Sequence, residues 1–210
     1  MTRVGRPQPR GLEKRSSPKE LIWPNCRIEA ANTNYVLLGL IVESATGRSL
    51  SEVVRTSLLD PLHMDRTFSS DEAGAVIDMG GYIPIGDTMI DASGVNLSIS
   101  WAVGGLVSTA EDVASMVRGI FESDLLSIDS RKRMTSGFIE RAGTPVRYAH
   151  GTILFDFIDP APIGHSGEGP GFSSVAVWGP DSGAIVVILT NIQTEALFTL
   201  LAEIADLLSE

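Results

Sequence analysis

Apolar residues recur along this chain in two rhythms, helical up to about residue 135 and strand-like from Val146 onward. In the first part, Asn32 or Thr33 can cap a helix running to about Ser44. Its residues Tyr35, Val36, Leu37, Leu38, Leu40, Ile41 and Val42 leave almost no polar side, and such a helix belongs in the middle of a core. Gly47 ends it. Ser49-Leu50-Ser51-Glu52 is a capping box, with Leu50, Val53, Val54 and Leu58 on one face behind it and Asp60-Pro61 as the stop. Ser17-Pro18-Lys19-Glu20 and Ser108-Thr109-Ala110-Glu111 repeat that signature. Behind the latter, Ala110, Val113, Ala114, Val117, Ile120 and Phe121 keep helical spacing, and a short helix over Ser127–Thr135 follows.

In the second part, Thr152 to Ile158, Ser173 to Trp178 and Ala184 to Thr190 read as strands, the last two joined by Pro180-Asp181-Ser182-Gly183. An amphipathic helix with Leu197, Leu200, Leu201, Ile204 and Leu208 on one stripe closes the chain. Residues 68–107, rich in glycine, show no strong period and read as loop. Helices, then a meander of three antiparallel strands, then a helix packed on the sheet make an α+β arrangement.

Length and composition, 210 residues with 43% hydrophobic and 20% charged, are those of a soluble globule. The formal charge of −10 is unevenly placed. Arg3, Arg6, Arg10, Lys14, Arg15 and Lys19 against Glu13 leave residues 1–19 at +5, so the rest carries −15, which excludes a nucleic-acid-binding body. Pro7, Pro9 and Gly11 interrupt that basic arm, and residues 1–16 read as a disordered tail ahead of a domain over 17–210. Cys26, the single cysteine, excludes an internal disulfide and a cysteine metal cluster. The chain shows no apolar leader and no run long enough to span a bilayer, which predicts a cytoplasmic location.

Candidate chemistry concentrates in Gly164-His165-Ser166-Gly167-Glu168-Gly169-Pro170-Gly171-Phe172. The pattern reads as a loop between strands, where glycines let backbone N–H groups approach a reacting oxygen and where His165 and Ser166 can hydrogen-bond a carboxylate. A Gly/Pro-rich hairpin with a surface histidine is the competing reading. A nucleophile elbow is excluded, because no helix follows and His63, His150 and His165 all precede Ser166. A phosphate loop fails for want of a Lys-Ser or Lys-Thr, and the three histidines lie too far apart for a zinc motif, so neither cofactor nor metal is expected.

Five blocks in order resemble the serine β-lactamase and penicillin-binding-protein family, in the branch of class C β-lactamases, DD-peptidases and esterases. They are Asn32-Thr33-Asn34-Tyr35-Val36-Leu37-Leu38-Gly39, Gly47-Arg48-Ser49-Leu50, Asp60-Pro61-Leu62-His63-Met64, the run from Gly104 to Asp112, and Gly164-His165-Ser166-Gly167. The resemblance implies a β-lactamase/transpeptidase-like fold and an acyl-transfer enzyme with a Ser-x-x-Lys nucleophile, a Tyr-x-Asn pair and a third motif on an edge strand. By it, Asn32 is the asparagine that bonds the substrate amide, His165 and Ser166 hold the substrate's polar end, Gly167 permits close approach, and the N–H of Glu168 is an oxyanion donor.

Departures from the pattern shape the expected function. The tyrosine position is Ala30, and a methyl group moves no proton. Ser16-Ser17-Pro18-Lys19 matches Ser-x-x-Lys by letters, but a capping box already accounts for those residues. The resemblance thus implies the C-terminal part of such a hydrolase, weakly active or inactive alone, whose substrate is a small molecule or peptide bearing a carboxylate. A non-catalytic binder of such ligands is the alternative. Lacking the family's first two strands, the predicted sheet keeps an exposed edge, which predicts association with a second copy or a partner fragment. Family members are often exported, which bears on the cytoplasmic reading.

Overall fold

A computed structural model describes residues 32–72, 79–140 and 146–208. The basic arm, Ser16–Glu20, Cys26 and Ala30 lie outside the described residues. The described residues open with helix α1 (Asn32–Thr46) and α2 (Leu50–Val54), the latter continued by a wider π-type turn over Arg55–Leu59. The Ser49 box forms as expected, its hydroxyl accepting from Glu52 N while the Glu52 carboxylate accepts from Ser49 N. Two short strands, β1 (Phe68–Ser69) and the later β4 (Leu106–Val107), pair with each other. Between them stand a hairpin, β2 (Tyr82–Ile85) with β3 (Thr88–Asp91), and a 3-10 segment over Leu97–Val103. Helix α3 (Ala110–Glu122) and α4 (Ile128–Met134) follow.

Among the described residues, the remainder builds one antiparallel sheet of six strands rather than three. Strands β5 (Ile139–Glu140), β6 (Arg147–Tyr148) and β7 (Ile153–Leu154) are two residues each. Strands β8 (Ile163–Gly169), β9 (Phe172–Trp178) and β10 (Ile185–Thr190) are long, and spatial order follows the sequence from β5 to β10. Helix α5 (Ala196–Leu208) ends the fold.

The glycine-rich stretch that carries His165 and Ser166 is therefore strand as far as Gly169, not a loop. Its glycines read as loop signals in isolation, yet two of them serve sheet packing. A Cβ on Gly164 would stand 2.0 Å from the Ala176 carbonyl oxygen and 2.7 Å from Val177 Cα, and one on Gly167 would stand 2.5 Å from Ser174 Oγ. Only Gly171, at φ +82°, makes the turn into β9.

Helices cover both faces of this sheet. On one, Val175 and Val177 pack with Ile153, Phe155 and Ile158 against Leu197 and Leu201 of α5. On the other, Ile163, Ala176 and Trp178 pack against Val117 and Phe121 of α3, the Trp178 and Phe121 rings stacking at 5.1 Å. Alternate residues of β9 feed opposite cores, as a strand buried on both sides requires.

Three further expectations change. Helix α1 is not a core helix: Leu37, Leu38, Leu40 and Ile41 are each more than half exposed, and only Gly39 is buried. Gly39 is the contact point, since a Cβ there would meet Ala102 Cβ at 2.7 Å and the Trp101 ring at 2.9 Å. The N-cap of α3 is Thr109 rather than Ser108, with Thr109 Oγ1 accepting from Asp112 N while Ser108 turns to Thr67. Asn32 and Thr33 both lie within α1 rather than at its cap.

Candidate substrate-binding site

His165, Ser166, Gly167 and Glu168 lie on β8 just beyond the stretch that β7 pairs. Strand β7 runs beside Ile163 and Gly164 only, whereas β9 pairs β8 as far as Gly169. The outer edge of Ser166–Gly169 thus faces no strand among the described residues. An edge of this kind presents main-chain donors and acceptors to an extended ligand.

His165 is exposed and held at both nitrogens. Nδ1 lies 2.5 Å from the Ser166 carbonyl oxygen and Nε2 lies 2.9 Å from Tyr148 Oη. The Tyr148 hydroxyl in turn lies 2.5 Å from that of Tyr35, 113 residues away in sequence. Asn32 precedes Tyr35 by three positions on α1, so the two share a helix face. Two phenols thus tie α1, through Tyr35, to the His165 end of β8, while Asn32 itself is exposed.

Glu168 is exposed, and its carboxylate accepts from Gln193 Nε2 at 2.5 Å. Gln193 N donates to Tyr82 O, and Tyr82 N donates to Gly171 O, so the β2–β3 hairpin is tied to the turn that ends β8. Close backbone approach makes this contact: a Cβ on Gly171 would stand 2.6 Å from the Gly81 carbonyl carbon.

Tyr35, Tyr148 and Gln193 escaped the sequence reading. Tyr35 passed as one more apolar position of α1, although a half-buried phenol requires a hydrogen-bond partner and is the readable signal. Tyr148 and Gln193 carry no local signal, because their partners are distant in sequence.

Among the described residues no group of three or more His, Cys, Asp or Glu could hold a metal ion, and no helix is long and apolar enough to cross a membrane. Their only lysine, Lys132, sits on α4. Ser16–Lys19 is the one Ser-x-x-Lys in the sequence, and like Ala30 it is outside the described residues.

Known proteins resemble this chain in sequence and in fold. The family model described as Beta-lactamase matches residues 23–209. Protein flp of Staphylococcus aureus (strain MRSA252) is 29% identical over 178 residues, covering 82% of this chain and 35% of the relative. Penicillin-binding protein 4* of Bacillus subtilis (strain 168) is 25% identical, covering 77% of this chain and 39% of the relative. Among solved structures, the D-stereospecific amidohydrolase of Streptomyces sp. superposes with a TM-score of 0.71 at 26% identity, covering 81% of this chain and 52% of that one. The D-amino acid amidase of Ochrobactrum anthropi SV3, complexed with L-phenylalanine amide, gives 0.72 at 26% identity, with 79% and 50% covered. The chain thus spans about a third to a half of the length of these relatives. With the model matching nearly the whole chain and the fold agreeing, this protein belongs to the β-lactamase family, whose members here include penicillin-binding proteins and D-amino-acid amidases.

Proposed function

We propose that the described residues form the substrate-holding side of an acyl-transfer cleft for β-lactams, D-amino-acid amides and peptides, or esters. In this reading His165 and Ser166 hold the substrate's carboxylate end, and Gly167 lets its backbone lie against β8. The N–H of Glu168 faces the oxyanion, and Asn32 receives the amide. The observation that supports it is the edge of β8 beside His165 that no strand of the described residues covers.

Turnover by this polypeptide is weak or absent. A nucleophilic serine needs a base beside it, and the only lysine of the described residues is on α4. Position 30 bears a methyl group where a phenol would move the proton. Without a nucleophile, oxyanion and binding terms leave at most a residual rate, on the order of 10³–10⁴ over water in a well-formed triad enzyme.

Isothermal calorimetry with a D-Ala-D-Ala peptide, benzylpenicillin and D-phenylalanine amide tests the reading. Saturable heat that Ser166→Ala weakens is expected with at least one of them, with no burst on nitrocefin. Flat traces for all three would remove the binding site. An acyl adduct in the intact mass, lost in Ser16→Ala, would overturn the inactivity.

A second reading concerns association with another copy of this chain. Strand β10 pairs on one side only among the described residues, and α1 exposes Leu37 at 54% and Ile41 at 61%. An open strand edge and an uncovered apolar helix both favour self-pairing. Light scattering at micromolar concentration should report a dimer that Leu37→Glu and Ile41→Lys dissociate; a clean monomer sinks this second reading.

A further inference from the structure

The contacts around His165 have a direction that hydrogen-bond chemistry fixes. A carbonyl oxygen only accepts, so the 2.5 Å contact with Ser166 O places a proton on Nδ1. In the neutral ring Nε2 is then a bare acceptor, and the 2.9 Å contact with Tyr148 must be an O–H donated to nitrogen. The single proton of Tyr148 being committed there, its oxygen can only accept in the 2.5 Å contact with Tyr35. The order is thus Tyr35 to Tyr148 to His165 to the Ser166 carbonyl. The rings of Tyr148 and His165 meet edge-on at 87°, which aims the hydroxyl at the imidazole nitrogen rather than at its face.

We propose that Tyr148, backed by Tyr35, is a positioning residue for His165: the two phenols form a relay that sets the tautomer of the ring and reverses when the ring is protonated. On protonation Nε2–H donates to Tyr148, the Tyr148 proton turns to Tyr35, and the Tyr35 proton turns outward. Three elements, α1, β6 and β8, are tied by this relay, and both imidazole nitrogens are engaged by it. His165 is therefore held as a fixed ring and, once protonated, as a fixed charge, rather than acting as a general base or metal ligand. The inference takes from the proposed function only the place of His165 in the cleft. Its test reads the ring itself, so failed ligand binding would leave it standing.

Protonation turns a neutral bond at Nε2 into a charge-assisted one, about twice as strong, so the phenol favours the imidazolium. Among the described residues, Tyr148 and, one bond further, Tyr35 are titratable groups whose hydrogen bonds lead to the ring. The experiment is a ¹⁵N ring titration of the three histidines, with His165 assigned by its loss in His165→Gln. Above its midpoint the ring should carry its proton on Nδ1. Tyr148→Phe, which keeps the ring but not the hydroxyl, should lower the midpoint by roughly half to one pH unit. Tyr35→Phe should lower it by less, and the double variant should match Tyr148→Phe alone, because the path from Tyr35 runs through Tyr148. A neutral ring protonated on Nε2, an unchanged or raised midpoint in Tyr148→Phe, or additive effects of the two variants would overturn the relay. Should Tyr148→Phe fail to fold, Tyr35→Phe alone decides: Tyr35 makes no described contact with His165, so an unmoved midpoint counts against the proposal.

Discussion

Asp112 offers the sharpest test of what holds the site's scaffold in place. The residue is only 8% exposed, and its carboxylate accepts from Arg66 N at 2.9 Å and from Thr67 Oγ1 at 2.7 Å. Thr67 is 2% exposed, and its hydroxyl also lies 2.6 Å from Ser108 Oγ. Asp112 sits in the first turn of α3, where the helix dipole favours an anion. Asp112→Ala orphans the Arg66 N–H, while Thr67 keeps Ser108 as a partner. A hydrogen bond to a charged group contributes about 1.5–3 kcal/mol, so one full loss and one partial loss come to about 3 kcal/mol. For a domain of this size each kcal/mol moves Tm by about 2–4 °C, giving a drop of roughly 6–12 °C. Asp112→Asn, which retains an acceptor oxygen, should lose about half as much. Urea unfolding followed by tryptophan fluorescence and circular dichroism measures both, with an unchanged slope as evidence of a common unfolded state. A cycle with Thr67→Val should show a coupling of about 1–2 kcal/mol. An Asp112→Ala loss below about 1 kcal/mol, or additivity with Thr67→Val, would show that this network does not hold the loop to α3.

Two other outcomes follow from the same reasoning. Gly164→Ala should cost at least about 3 kcal/mol, the upper end for overpacking, because its Cβ would meet the Ala176 carbonyl and the strands must part. Gly167→Ala should cost about 1 kcal/mol or less, since the Ser174 hydroxyl can rotate away; equal Tm shifts for the two refute the distinction. Bonds from the Ser49 N–H and hydroxyl hold Glu52 below the ordinary 4.5, and bonds from Ser93 hold Asp91 below 3.8. Glu111 is likewise lowered, by backbone and Thr109 hydrogen bonds and then by Arg66. Because the folded values are depressed, the stabilisation is full above about pH 4.5 and disappears as pH falls through the folded values. Urea midpoints between pH 6 and 3 should fall less steeply in Glu52→Gln than in the parent, and an identical slope contradicts the assignment.

The helical half was legible where cap and period agreed, as at Ser49–Glu52, and by period alone along α3, whose cap lies one residue beyond Ser108. The hairpin β2–β3 was missed although Gly86-Asp87, with Gly86 at φ +57°, is a two-residue turn signal; Pro84 and the neighbouring glycines masked it. The reading of α1 failed for a different reason. Its apolar positions describe a helix meant to be covered, and no single sequence states whether the cover lies among the same residues.

The candidate site shows most plainly what local composition leaves out. Gly164, Gly167 and Gly169 say loop when counted, but the constraint on the first two comes from Ala176, Val177 and Ser174 on the neighbouring strand. Registering His165 opposite Ala176 and Ser166 opposite Val175, with Val175 at 0% exposure between α5 and the sheet, fixes the polar pair by the packing of a core. A polar pair on a strand is positioned more closely than one on a loop, because moving it requires moving the sheet. Position 30 carries a methyl group, whereas the hydroxyls that reach His165 come from β6 and, behind it, α1. Sheet packing thus places the imidazole while two phenols distant in sequence orient it, so the catalytic vocabulary of the local motif could be read before its physical support was visible.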